Sequence, residues 1–161
     1  MNTDSAHRSG WEIAEVVFGI PFLLAIALQL VVPFPLSQGI LRQALIPIGI
    51  SLVVIGIGFI VSARRELAHH GQPTDAGQPT SKVVKTGIFS ISRNPLYLGG
   101  VMVVLGIALM LNMLWALVTL LISIMICHYV LIIPEETYLA AKFGKEYEEY
   151  RSSVHRWLGR K

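Results

Sequence analysis

The stretch LRQALIPIGISLVVIGIGFIV, residues 41–61, decides the class of this protein, because it contains no charged side chain after Arg42. A helix that crosses the hydrocarbon core of a bilayer needs about 20 predominantly apolar residues. Three further segments have the same character, and they cover residues 13–32, 95–111 and 113–133. The sequence therefore predicts an all-α, polytopic membrane protein with about four transmembrane helices.

The composition of the whole chain supports this prediction. Apolar residues make up 53% of the 161 residues and charged residues 14%, and the mean hydropathy is +0.62. Soluble domains are typically about 45–50% apolar and about 25% charged, so a soluble globular enzyme and a disordered chain are excluded. Cys127 is the single cysteine, which excludes an internal disulfide framework.

The basic residues orient the predicted helices. Twelve of the 13 Lys and Arg residues lie before the first span, between the second and third, or after the fourth, and only Arg42 lies on the other side. Basic loops face the cytoplasm, so both termini and the loop of residues 62–94 are expected there. The net charge of +3 is explained in the same way and indicates no nucleic acid partner. Residues 134–161 combine aromatic and charged residues at helical spacing, which predicts short cytoplasmic amphipathic helices that complete a single membrane domain.

Polar residues collect at the cytoplasmic ends of the last two spans. Arg93, Asn94 and Pro95 precede the third span, and Glu135 and Glu136 follow the fourth. Asn and Pro commonly begin helices and carboxylates suit a first helical turn, so each motif has a purely structural interpretation. Together the motifs could bind a polar ligand, because arginine pairs with carboxylates and glutamate accepts hydrogen bonds. In either case, replacing one of the charged residues is expected to change thermal stability little.

His128 lies inside the predicted fourth span. An ionisable residue at that depth is a functional hypothesis, and the alternative is a histidine packed beside Tyr129. If the helix continues through Pro134, His128 and Glu135 share a helix face, because they are seven residues apart. The sequence contains no set of His and Cys at metal-ligand spacing, so no metal site is predicted.

Two ordered motifs resemble a known family of membrane enzymes. KTGIFSISRNPLYLG, residues 85–99, is similar to the signature G-x-Y/F-x-x-x-R-H/N-P-x-Y-x-G of that family. EETYLAAKFGKEYEEYRSSVHRW, residues 135–157, is similar to its C-terminal signature. The family comprises the isoprenylcysteine carboxyl methyltransferases and the related phospholipid N-methyltransferases. The resemblance covers about residues 82–157.

The resemblance implies a methyltransferase that uses S-adenosylmethionine, bound at the cytoplasmic membrane face between the last two spans and the C-terminal helices. It implies that Arg93 and Glu136 hold and orient the cofactor for the reaction. The further residues that it implies at the cofactor site are Asn94, Tyr97 and Glu135, with Gly87, Leu98, Tyr147, Tyr150, Arg151 and Arg156 lining or closing the pocket.

The sequence leaves the methyl acceptor open. A lipophilic acceptor that enters from the bilayer, either a prenylated cysteine carboxylate or a lipid, is the first interpretation, and a small thiol, a phenol or a lipid amine is the alternative. A non-catalytic membrane protein of the same fold is a further alternative. A transporter is disfavoured, because the second and third spans carry no midplane charge. Gly49, Gly56 and Gly58 permit close helix contact within or between chains, so the oligomeric state is not predicted.

Overall fold

The structure is a computed structural model that describes residues 14–73 and 80–161. All regular elements within these residues are helical, which confirms the all-α prediction for this part of the chain. The elements are α1 (Ala14–Val31), α2 (Gly39–His69), a 3-10 turn (Gly87–Ser90), α3 (Pro95–Met110), α4 (Leu114–Ile126), a π-helical turn (Cys127–Ile132), α5 (Ile133–Phe143) and α6 (Lys145–Ser153).

Two helices are long and apolar enough to cross a membrane. They are α2 and the continuous helix Leu114–Phe143, which is formed by α4, the π-helical turn and α5. The helices α1 and α3 coincide with two predicted spans, but they have 18 and 16 residues. At 1.5 Å per residue, α3 is about 24 Å long, less than the roughly 30 Å of a bilayer core. Residue 13, where the first span was predicted to begin, lies outside the described residues.

Two helices continue beyond the residues at which their predicted spans end. The second span was expected to end at residue 61, but α2 continues to His69, so residues 62–69 are helical and do not belong to the loop. This segment contains neither Gly nor Pro, and Gly71 adopts a positive φ of 64° just beyond the helix end. The fourth span was expected to end at residue 133, but the helix passes through Pro134 to Phe143.

Glycine allows α2 and α3 to pack with their backbones in contact. A Cβ on Gly49 would lie 2.5 Å from the carbonyl oxygen of Gly106, and a Cβ on Gly56 would lie 2.7 Å from that of Gly99. Real side chains do not tolerate such distances. A Cβ on Gly58, in contrast, would meet nothing within 4 Å. Gly49 and Gly56 therefore allow close contact between helices of the same chain.

The tip between α3 and α4 is fastened to the chain that enters α2. Asn112 adopts a φ of 57°, and its side chain accepts a hydrogen bond from Ser37 N at 2.9 Å and donates one to Ser37 O at 2.9 Å. Trp115 Nε1 donates to Val32 O at 2.8 Å, just beyond the end of α1. These contacts place the end of α1, the start of α2 and the α3–α4 tip at one end of the helix bundle.

Candidate functional site

A cavity that is partly open to solvent lies at the opposite end of the bundle. Six of the residues named from the sequence line this cavity: Arg93, Asn94, Glu135, Glu136, Tyr147 and Tyr150. Apolar side chains complete the lining, among them Val84, Phe89 and Leu139. The cavity therefore brings the two polar motifs together, although more than 40 residues separate them in the sequence.

Glu136 lies between two guanidinium groups in this cavity. Arg93 Nη1 lies 2.9 Å from Glu136 Oε1, and Arg156 binds both carboxylate oxygens, with Nη2 at 2.7 Å from Oε2 and Nε at 3.0 Å from Oε1. The side chains of Arg93 and Glu136 are only 6% and 9% exposed. Buried charges are tolerated when they are paired and hydrogen-bonded. This ion cluster of Arg93, Glu136 and Arg156 therefore joins the start of α3, the start of α5 and the C-terminal segment.

Arg93 retains a donor that nothing in the described part of the chain accepts. Its Nη1 also donates to the hydroxyl of Tyr147 at 3.3 Å, whereas its Nε is buried without a hydrogen-bond partner among the described residues. A buried N–H without an acceptor costs about 1–3 kcal/mol.

A second polar contact joins α3 to α5 beside the ion cluster. Tyr97, in the first turn of α3, donates from its hydroxyl to Glu135 Oε2 at 3.1 Å. The family resemblance implies Tyr97 at the cofactor site. The structure brings its hydroxyl to Glu135, although Tyr97 is not among the residues that line the cavity. The adjacent glutamates thus have different partners, one a phenol and the other two guanidinium groups.

Asn94 does not cap α3 with its side chain. It occupies the N-cap position, but no capping hydrogen bond is formed. Its Nδ2 instead donates to the carbonyl oxygen of Arg156 at 3.1 Å, and the neighbouring Arg93 N donates to His155 O at 3.2 Å. Asn94 and Pro95 thus begin the helix as expected, but the side chain of Asn94 is used to hold the C-terminal segment and makes no capping hydrogen bond.

The two tyrosines of α6 form an apolar wall with neutral hydroxyl groups. Tyr147 and Tyr150 are 2% and 5% exposed, and Tyr150 donates from its hydroxyl to Phe89 O at 2.7 Å. Burial raises the pKa of Tyr147 to about 12 and also raises the pKa of Tyr150. Both phenols therefore stay protonated near neutral pH and do not act as bases; Tyr150 donates to Phe89 O, and Tyr147 accepts from Arg93.

Besides Tyr97 and Arg156, which contact Glu135 and Glu136, three residues named from the sequence are not among those that line the cavity. Gly87 has a φ of 56°, and a Cβ there would lie 2.5 Å from Glu66 Oε2, so its role in this structure is to let the chain pass close to α2. Leu98 lies in α3 beyond the cavity. Arg151 is half-exposed and pairs with Glu148 at 3.3 Å.

The contacts of Arg156 and His128 in the site were not predicted from the sequence. Arg156 was expected only to line or close the pocket, but it makes the bidentate contact with Glu136, and that contact raises its pKa. The helix does continue through Pro134, yet the contact of His128 is with Arg156, Nε2 to Nη1 at 3.4 Å, and not with Glu135. Nothing in the spacing of the C-terminal motif indicates which of its basic residues turns inward.

A family model matches the part of the chain that contains the two helix ends at the cavity. Residues 45–146 match a family model described as phospholipid methyltransferase, and this region contains Arg93, Glu135 and Glu136. An uncharacterized protein of Haemophilus influenzae strain Rd is 38% identical over 63 residues, which cover 39% of the present chain and all of that protein. No solved structure matches the chain.

Proposed function

Because the chain belongs to the phospholipid methyltransferase family of integral membrane methyltransferases, we propose that it transfers a methyl group from S-adenosylmethionine to a lipophilic acceptor. Membership confirms the family expected from the two sequence motifs. The cofactor, the acceptor and the roles of individual residues belong to the proposal.

The observation that carries the proposal is the ion cluster in the cavity. Two guanidinium groups face one carboxylate of Glu136, and Arg93 has a buried Nε–H without a partner among the described residues. This surplus of positive charge and donors suits the carboxylate of the methionine part of the cofactor. Glu135 suits its ammonium group or a ribose hydroxyl, and the ring of Phe89 offers an apolar face to the purine. The residues present therefore fit S-adenosylmethionine.

The chain's own groups would act mainly by positioning. When bound, S-adenosylmethionine supplies an electrophilic methyl group on a sulfonium sulfur. Arg93 and Glu136 would hold and orient the cofactor, and the buried tyrosines would exclude water from the reacting groups. A carboxylate or thiolate acceptor needs no base. For an amine acceptor, Glu135 would take the proton, because Tyr147, with its pKa raised to about 12, cannot.

A lipophilic acceptor is supported by the surroundings of the cavity. Val84 and Leu139 line it together with Leu67 from the end of α2, and α2 itself carries many exposed apolar side chains. In a bilayer such a face meets lipid, so an acceptor with a hydrocarbon chain can approach the cavity from the membrane. The bilayer is thus part of the proposed binding environment.

We further propose four spans with both termini in the cytoplasm. The basis is the distribution of twelve of the 13 basic residues, together with the contacts at the two ends of the bundle. Asn112 holds the end of α3 beside the start of α2, and the hydroxyl of Thr86 donates to Glu66 near the end of α2, shortly before α3 begins. If α2 crosses the bilayer, α3 therefore returns across it.

Calorimetry with S-adenosylhomocysteine, the demethylated cofactor, tests the proposal on the full chain in lipid nanodiscs. We expect binding in the micromolar range, worth about 8 kcal/mol at 1 μM. Arg93→Ala removes one charged contact but leaves Glu136 paired with Arg156, so the fold should survive and affinity should fall about 10- to 100-fold. Arg151→Ala is the matched control, since Arg151 is half-exposed and does not line the cavity. Absence of heat and of a thermal shift at millimolar ligand would refute cofactor binding.

A further inference from the structure

His128 reaches the ion cluster from inside the fourth helix. Its Nε2 lies 3.4 Å from Arg156 Nη1, while Nε and Nη2 of the same guanidinium bind Glu136. Arginine has no acceptor, so the imidazole must accept this hydrogen bond. All three nitrogens of Arg156 therefore have a partner in this arrangement.

The π-helical turn explains how His128 and Glu136 reach the same guanidinium. Eight residues along a regular α-helix differ in direction by about 80°, because each residue turns by about 100°. A π-helical turn accommodates one additional residue, which offsets the direction by about 100° and returns the two side chains to nearly the same face. The turn covers Cys127–Ile132 and immediately precedes α5.

Pro134 gives a physical reason for this turn. Proline has no N–H to donate to the carbonyl of Val130, four residues earlier, and its ring would clash with that carbonyl in a regular α-helix. The widened turn removes the clash without ending the helix. The same proline that was expected to begin a cytoplasmic helix thus sets the direction of a polar side chain one and a half turns before it.

We propose that His128 is a positioning residue of the cofactor site, which fixes the guanidinium of Arg156 and through it the carboxylate of Glu136. This inference rests on the proposed function, because it assigns His128 to the site at which the cofactor would bind. A packing role alone would favour an apolar residue here, since burying a polar group in a membrane helix has a cost. The hydrogen bond to Arg156 compensates that cost.

Two substitutions at His128 separate positioning from packing. His128→Leu removes the acceptor and suits an apolar environment, whereas His128→Gln keeps an amide oxygen at about the same distance along the side chain. Tyr129→Phe is the control, because it keeps the ring that packs edge-on against His128, with centroids 5.0 Å apart. Each variant of the full chain is titrated with S-adenosylhomocysteine in nanodiscs, and its melting temperature is recorded without ligand.

We expect His128→Leu to weaken binding about three- to tenfold, with an unchanged or higher melting temperature. His128→Gln and Tyr129→Phe should bind within about twofold of wild type. In an Arg156→Gln background, His128→Leu should have no further effect on binding. The inference is overturned if the wild type binds S-adenosylhomocysteine and both His128 variants bind it equally well. It is also overturned if both variants lose binding together with a fall in melting temperature. A wild type that does not bind at all overturns the proposed function, and this inference with it.

Discussion

Glu136 has a structural role in addition to its proposed role in cofactor binding, and a single substitution would affect both. Its carboxylate is the counter-charge of the 6%-exposed Arg93 and of Arg156. Considered as an isolated first-turn acid, it would contribute only about 0.3–1 kcal/mol through the helix dipole. The structure changes this expectation, because removing one partner of a buried ion pair typically costs about 3–5 kcal/mol.

We therefore predict that Glu136→Ala lowers stability even without cofactor, since it leaves two guanidinium groups at the site without their carboxylate. Glu148→Ala is the matched control, because Glu148 pairs with Arg151 at the surface, where such pairs contribute about 0–1 kcal/mol. Thermal unfolding of both variants in detergent, without ligand, gives the comparison. Equal melting temperatures for the two variants would contradict the structural role of Glu136.

The C-terminal segment contributes Arg156 to the ion cluster. It leaves α6 at Val154 and crosses the chain before α3, where Gly159 N donates to Ile91 O at 2.7 Å and Asn94 Nδ2 donates to Arg156 O at 3.1 Å. These backbone contacts hold Arg156 against Glu136. The bidentate guanidinium therefore depends on a segment that has no regular secondary structure.

The helices could largely be predicted from the sequence, but the position of the C-terminal segment across the start of α3 could not. Long uncharged runs predict helices, and Pro95 and Gly144 mark a helix start and a helix end where the structure has them. The pairing of the Arg93 and Glu136 motifs followed from their positions at the ends of neighbouring spans. The inward turn of Arg156 depends on tertiary backbone contacts, and the direction of His128 depends on a π-helical turn. Neither leaves a periodic signal in the sequence.

The close contact between α2 and α3 predicts which glycine in α2 cannot be replaced without a loss of stability. Gly56→Ala should lower the melting temperature, because the added methyl would lie 2.7 Å from Gly99 O and 2.9 Å from Val103 Cγ2. Overpacking of this kind typically costs about 1–3 kcal/mol. Gly58→Ala, two residues along the same helix, meets nothing within 4 Å and should leave stability unchanged or slightly higher. A larger loss for Gly58→Ala than for Gly56→Ala would show that the two helices pack through a different face.

The helix bundle has two chemically different ends. One end holds the Asn112–Ser37 contact, and the other holds the cavity and its ion cluster. Only Arg42 among the basic residues belongs to the first end, and this distribution is the basis of our proposal that the cavity end meets the cytoplasm. The cofactor, a polar molecule, would then reach the cavity from water, and a lipophilic acceptor would reach it from the bilayer.

Cysteine labelling tests this arrangement in membranes. Single cysteines are placed at Gln38, Leu111 and Ser152, three exposed positions, in a background in which the buried Cys127 is replaced by Ala. A membrane-impermeant maleimide should label Gln38→Cys and Leu111→Cys from outside intact cells, because Asn112 and Ser37 are bonded at one end of the bundle. Ser152→Cys should react only after the membrane is opened, because its helix follows the basic end of the fourth span. Labelling of Leu111→Cys and Ser152→Cys from the same side would mean that the helix Leu114–Phe143 does not cross, and the four-span arrangement would fail with it.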